Sequence, residues 1–146
     1  MTGMGCVFCE IVRGERDAFL VYSGERVVAF LDIAPISRGH TLVVPRDHYR
    51  DIFEAPDDVL AELISVVKLI AKAQVRALGA DGVRVVQNNG EAAQQVIFHL
   101  HFHVIPFYAG RPRFRRWLSR SEGEEVSRLL REEVGRIVEE RGARRK

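Results

Sequence analysis

His99-Leu100-His101-Phe102-His103-Val104-Ile105-Pro106 sets three histidines at every second position, with large apolar residues between and after them. In a β-strand successive side chains alternate faces, so residues two apart sit roughly 6.5–7 Å from each other on one side. The pattern predicts a strand with the three imidazoles on one face and Leu100, Phe102 and Val104 on the other. Titratable rings on a core strand are costly unless each is hydrogen-bonded or bound to something. The row therefore reads as a site. Three chemistries stay open at this point. A His-x-His pair with a third ligand can hold a catalytic metal with an open position. One imidazole can act as a nucleophile with the others in support. The rings can also be satisfied structural groups, which three in register beside a Gly/Asn loop disfavour.

Working outward, Asn88-Asn89-Gly90 through Gln95 read as a polar loop, preceded by a strand over 83–86. Pro56-Asp57-Asp58 open the longest periodic segment, in which Leu60, Leu63, Ile64, Val67, Ala71, Val75 and Leu78 keep a helical spacing and Gly79 is the stop. Residues 6–13 suggest a short helix ended by Gly14, and strands over 21–22 and 26–31 flank a turn at Ser23-Gly24. A loop over 32–39 leads to a strand over 41–44, closed by Pro45. Beyond an Arg-rich stretch, Ser121 and Glu124 form a capping box for a last helix over about 122–141. Its apolar stripe is Val126, Leu129, Leu130, Val134, Ile137 and Val138. Strands and helices do not alternate regularly, so the expected class is α+β with a mainly antiparallel sheet.

The 146 residues suit one domain with a full core. No apolar run approaches the roughly 18 residues of a membrane span, and the N-terminus lacks the plan of a secretory signal. A soluble, cytoplasmic protein is expected. Residues 111–146 hold 12 Arg/Lys against 7 Glu, a net charge of +5. Such a tail can serve nucleic acid or an anionic ligand, but interleaved Glu124, Glu125, Glu132 and Glu133 favour a solvated helix face. Cys6 and Cys9 form a C-x-x-C pair, which outside a secretory context is metal-binding or redox-active.

The stretch His99–Ile105 resembles the histidine triad motif, His-φ-His-φ-His-φ-φ with φ apolar, that names the HIT family. C-V-F-C-E-I-V-R-G-E, V-V-A-F-L-D-I-A-P, R-G-H-T-L-V-V-P-R-D-H and N-N-G-E-A-A-Q-Q are similar to further blocks of its prokaryotic Hint-like branch. The resemblance covers about residues 6–110, with 111–146 as a looser extension containing Trp117. It implies a single HIT domain over 1–146, a five-stranded sheet with one long and one C-terminal helix, and pairing as a homodimer.

The resemblance also implies chemistry. His101 is then the nucleophile that attacks the α-phosphorus of a purine nucleoside 5′-phosphoramidate, an adenylated compound or a dinucleoside polyphosphate. A nucleotidyl-histidine forms, and water releases the nucleoside monophosphate. An ordinary imidazole, with a pKa of about 6.5, is largely neutral and nucleophilic at neutral pH. His103 holds phosphate or passes a proton, and His40 supports the cluster. Asn88 and backbone N–H groups over Gln94, Gln95 and Val96 contact phosphate, Asp32 holds the ribose, and Val7, Phe8, Ile11, Phe30 and Ile33 form the base slot. Here the chain departs from the family's A-G-Q-[ST]: Gln94 replaces the glycine and Val96 the hydroxyl residue. Cys6, Cys9, His48 and His99 make a closed four-ligand set, matching one structural zinc per chain and no organic cofactor. Alternative readings are a dedicated diadenosine polyphosphate hydrolase, a nucleotide-binding regulatory module with little turnover, and a role at nucleic-acid ends.

Overall fold

A computed structural model describes residues 5–111 and 117–145. In chain order the elements are α1 (Val7–Val12), β1 (Leu20–Ser23), β2 (Val27–Leu31), β3 (Thr41–Pro45), α2 (Asp57–Leu78), β4 (Gly82–Val86), a 3-10 turn (Glu91–Ala93), β5 (Phe102–Phe107) and α3 (Arg120–Arg145). The strands form one sheet of order β1-β2-β3-β5-β4, with every neighbouring pair antiparallel. The fold is α+β, as expected.

All five residues of β2 and of β3 are buried, because both faces of the sheet are covered. On one face Val27, Ala29, Leu31, Val43, Phe102 and Val104 pack with α2 and α3. On the other, Val28, Phe30, Leu42 and Val44 pack with Phe8 of α1. The pleat thus sorts alternate residues between a large core and a smaller one. His103 pairs with Leu42 in register, which puts it on the α1 face.

Three expectations change in detail. The histidine strand begins at Phe102, so His99 and His101 lie in the segment leading into β5. The His99 carbonyl is taken by the His101 ring and the Leu100 N–H by the Tyr49 carbonyl, so the ladder begins only afterwards. The buried face of α2 runs through Val59, Leu63, Val66, Val67, Ile70, Ala73 and Gln74, while Ile64 and Val75 are exposed. The sequence carries two overlapping stripes, and contact with both the sheet and α3 selects the rotated one. Lastly, α3 starts at Arg120, where the Ser119 hydroxyl accepts the Glu122 N–H at 3.2 Å, so Ser119 takes the capping role expected of Ser121. Val126, Leu130, Val134 and Ile137 are buried, and Val138 faces solvent.

Gly79 ends α2 in a left-handed conformation, donating to the last carbonyls of the helix. Arg46 gathers the α1 end and the β1–β2 turn, donating to the Val12 and Gly24 carbonyls and to the Ser23 hydroxyl. Among the described residues no helix is long and apolar enough to cross a membrane.

Candidate active site and metal centre

Five histidines gather on the α1 side of the sheet, four of them in two groups with His101 between. In the first, the Nδ1 of His99 lies 3.4 Å from the sulfur of Cys6 and 3.4 Å from that of Cys9. The Nδ1 of His48 lies 3.3 Å from the Cys9 sulfur. A tetrahedral zinc with ordinary bond lengths places S and N ligands about 3.5 Å apart, so the four side chains are spaced for one ion. The His99 ring faces the Pro45 carbonyl through Nε2, at 2.8 Å. A carbonyl can only accept, so Nε2 carries the hydrogen and the Nδ1 lone pair is left for a metal. Burial, reinforced by Cys6, pushes the Cys9 thiol up to about 11. A divalent cation supplies the countercharge that a thiolate here requires. The donor set, its spacing and the His99 tautomer all fit structural zinc, which would supply crosslinking and no open position.

The second group is Asp32, His40 and His103. His40 Nε2 is 3.0 Å from His103 Nδ1 and 3.5 Å from an Asp32 oxygen. Those spacings alone would also suit an ion. The Ile36 N–H, however, points at His40 Nδ1 from 3.1 Å. A peptide N–H can only donate, so Nδ1 is the lone pair and Nε2 carries the hydrogen. The neutral ring therefore offers no ligand atom to a metal at this centre. It donates to His103 Nδ1, which leaves the His103 Nε2–H as an outward donor. The two clusters contain similar residues, and a backbone group behind each ring gives them opposite roles.

His101 lies between these groups, its ring 5.0 Å from that of His103 and 5.1 Å from that of Phe8. Its Nδ1 is 2.7 Å from the His99 carbonyl and must donate to it. The Nε2 lone pair is consequently bare. Burial lowers the pKa of His101, opposed by that hydrogen bond and by Asp32. Burial also carries His103 down to about 4, helped by the neighbouring His101 and His40 rings, and lowers His40 against the pull of Asp32. Burial thus favours the neutral form of all three rings.

Around this core the expected contacts separate. Phe8 and Phe30 are buried edge-to-face at 5.4 Å, behind the site. Val7 and Ile11 are half-buried and Ile33 is 56% exposed, so these three offer the accessible apolar surface. Asp32 accepts the Ala34 N–H at 2.9 Å through one oxygen, and its second oxygen lies 3.5 Å from His40 Nε2. The N–H groups of Gln94 and Gln95 are spent on the Glu91 and Gly90 carbonyls. Gln95 also uses its side chain internally, on Gly90, Arg50 and Ile97. Of the backbone N–H groups expected to contact phosphate, those of Gln94 and Gln95 are thus engaged within the turn. The Val96 side chain is exposed.

Gln94 is left-handed at φ 72°, the one such non-glycine residue among those described. That conformation costs on the order of 1 kcal/mol away from glycine. Sequence reading missed Leu118, whose N–H bonds the Ile33 carbonyl at 2.8 Å. An open cleft of about 710 Å³ runs from Ala18 and Ile33 to Leu118 and Arg131, so the C-terminal segment walls this side. It also missed Pro45 and Ile36, which act through backbone atoms that no side-chain motif reveals.

The chain matches the HIT domain family over residues 13–110. It is 46% identical over 101 residues to an adenylylsulfatase of Arabidopsis thaliana, covering 69% of this chain and 51% of that protein. An adenosine 5′-monophosphoramidase of Schizosaccharomyces pombe is 41% identical over 103 residues, 70% of this chain and 74% of its own. The crystal structure of a Zn-bound histidine triad family protein from Mycobacterium smegmatis aligns with a TM-score of 0.85 at 40% identity, covering 94% of this chain and 98% of that one. With the motif, the sheet order and the family match in agreement, the chain belongs to the HIT family.

Proposed function

We propose that this chain hydrolyses purine nucleoside 5′-phosphate derivatives at the α-phosphorus, in two displacements through a nucleotidyl-His101 intermediate. The observation that carries this reading is the 2.7 Å bond from His101 Nδ1 to the His99 carbonyl, which puts the ring hydrogen on Nδ1 and leaves the lone pair on Nε2. In the first step that lone pair forms an N–P bond as the bond from phosphorus to the leaving group breaks. In the second, water attacks phosphorus, the N–P bond breaks, and a nucleoside monophosphate departs. The His103 Nε2–H, held by the His40 relay, steadies a phosphate oxygen and the charge that develops on it. Asp32 takes a ribose hydroxyl, and the base lies along Val7, Ile11 and Ile33 toward the cleft. The relatives named above as adenylylsulfatase and phosphoramidase support a reaction of this class.

The leaving group is a specific question for this chain. Val96 stands where the family carries a hydroxyl residue, so no side-chain O–H is available there to protonate a departing amine. Groups that leave without a proton, such as sulfate or polyphosphate, need none. This favours adenylyl sulfate and dinucleoside polyphosphates over amidates, and side-by-side rates on the three will rank them.

Zinc at Cys6, Cys9, His48 and His99 would tie α1 to the segment carrying His101, one ion per chain. The Zn-bound relative and the spacing of the donors support it. Pairing as a homodimer is supported by β4, an outer strand with Val85 47% exposed. Cysteines that serve a metal rather than a disulfide accord with a cytoplasmic location.

His101→Ala is expected to lower turnover about a thousandfold or more while nucleotide binding persists. Acid-quenched mass spectrometry on a slow substrate should place the nucleotidyl group on His101; full turnover in the variant, or a label on another residue, contradicts the mechanism. Plasma emission spectroscopy should find one zinc per chain, and its removal by a strong chelator should lower the melting temperature; metal-free protein of unchanged stability contradicts the centre. The relay also predicts a pH dependence. Free histidine titrates near 6.5, whereas folded His103 is held at about 4. Between those values the unfolded chain binds the extra proton, so stability present above pH 6.5 is lost as pH falls toward 4. Calorimetry should show that decline, reduced in His103→Asn; an identical decline in both contradicts a neutral His103.

A further inference from the structure

Gln74 lies on the buried face of α2 with 0% of its surface exposed, and no step above uses it. Its Nε2 donates to two peptide carbonyls, that of Gly39 at 3.0 Å and that of Val104 at 2.9 Å. Its Oε1, also buried, has no partner among the described residues. A leucine or methionine here would spare the helix–sheet interface an orphaned acceptor, but would take away the donors that Gly39 and Val104 now share. What the side chain contributes must lie in the groups its two N–H bonds hold.

Those groups belong to the histidine relay. Gly39 immediately precedes His40, and Val104 immediately follows His103. The β3–β5 ladder ends with Thr41 paired to Val104, so the chain is already leaving the sheet at Gly39. Two carbonyls cannot bond each other, because both only accept. A single nitrogen with two hydrogens joins them. The corner is also pressed close to the helix: Gly39 has φ +97°, and a Cβ there would come 2.4 Å from Leu78 Cδ1. Further out, the Ser37 hydroxyl bonds the Pro106 carbonyl and the Tyr108 hydroxyl bonds that of Arg38, fastening the far part of the same loop to β5. Of these three ties, Gln74 makes the one whose acceptors adjoin both histidines.

We propose that Gln74 is a positioning residue: from the opposite side of the sheet, its amide fixes the His40 peptide against the His103 strand and so sets the 3.0 Å contact between His40 Nε2 and His103 Nδ1. Without it the Thr41–Val104 end of the ladder and the Ser37 and Tyr108 ties still hold the loop, but no bond joins the Gly39 carbonyl to that of Val104 and the His40 peptide gains play against His103. His103 could then rotate or exchange its ring proton, and its outward Nε2–H would no longer be fixed as a donor toward phosphate. The kinetic consequence rests on the hydrolase reading; the structural one does not.

Gln74→Met keeps the volume and removes both donors. Expected is a fall in kcat of about tenfold or more with KM nearly unchanged. Ile70→Val, one turn earlier on the same buried face, should leave kcat within about twofold and serves as the control for lost packing. Proton–nitrogen correlation spectra of the imidazoles give a second readout that needs no substrate: the signal of the proton between His40 and His103 should move or broaden in Gln74→Met and stay in place in Ile70→Val. If the unaltered protein turns nothing over, the spectra alone decide. Unchanged imidazole signals together with unchanged kcat in Gln74→Met overturn the proposal, and so does an equal loss of kcat in Ile70→Val. Should Gln74→Met not fold, Gln74→Asn, one methylene too short to reach both carbonyls, carries the same readings.

Discussion

His40, His99 and His101 each present one ring nitrogen to a backbone group, and that hydrogen bond decides what the other nitrogen can do. Pro45 and His99 offer carbonyls, which demand an N–H and leave a lone pair on the far side of the ring. Ile36 offers an N–H, which demands the lone pair and leaves a donor. Peptide groups have fixed polarity, so these assignments do not wait on solution pH. One ring faces two thiols, one keeps its lone pair on Nε2, and two form a donor chain that begins at the Ile36 peptide. Three nearly identical side chains in one short segment thus acquire different chemistry from the path of the main chain behind them.

Burial drives those rings further toward the neutral form, and burial requires a sheet covered on both faces. The apolar core under α2 and α3 anchors Leu100, Phe102 and Val104, and the alternation of the chain sends His101 and His103 to the α1 side. There Phe8 packs edge-on against both His99 and His101, joining the metal-ligand cluster to the reactive ring. Desolvation then lowers every pKa in the row. A buried imidazole that charged here would cost more than the adjacent Asp32 returns. The polar loop before β5 tolerates a left-handed Gln94 because Asn89 and Gln95 brace it, bonding Ile52 and Arg50 across the gap.

Much of this was readable in the residues. Period-two alternation around the triad gave the site and its apolar backing, and Gly79 gave the end of α2. The spacing of Cys6 and Cys9, with His48 and His99 remote in sequence, became a ligand set only through the family resemblance. Other features were hidden for physical reasons. The strand start at Phe102 depends on a ring capturing a carbonyl, which periodicity does not register. The α2 face was ambiguous because apolar residues cover more of that helix than a single stripe, and the second neighbour, α3, comes from the far end of the chain. That the Gln94 and Gln95 N–H groups bond within their own turn was hidden as well, because the residue types do not reveal a compact turn that consumes its own donors. Gln74 did leave a trace, a polar residue among apolar ones at a buried helical position, but its meaning lies in two carbonyls distant in sequence.

The division of labour among the rings is most directly tested by assigning the ring protons of His40, His101 and His103 in long-range proton–nitrogen spectra at neutral pH. The account predicts hydrogen on Nδ1 of His101 and on Nε2 of both His40 and His103. A His101 ring protonated at Nε2, or a His40 ring protonated at Nδ1, would contradict it.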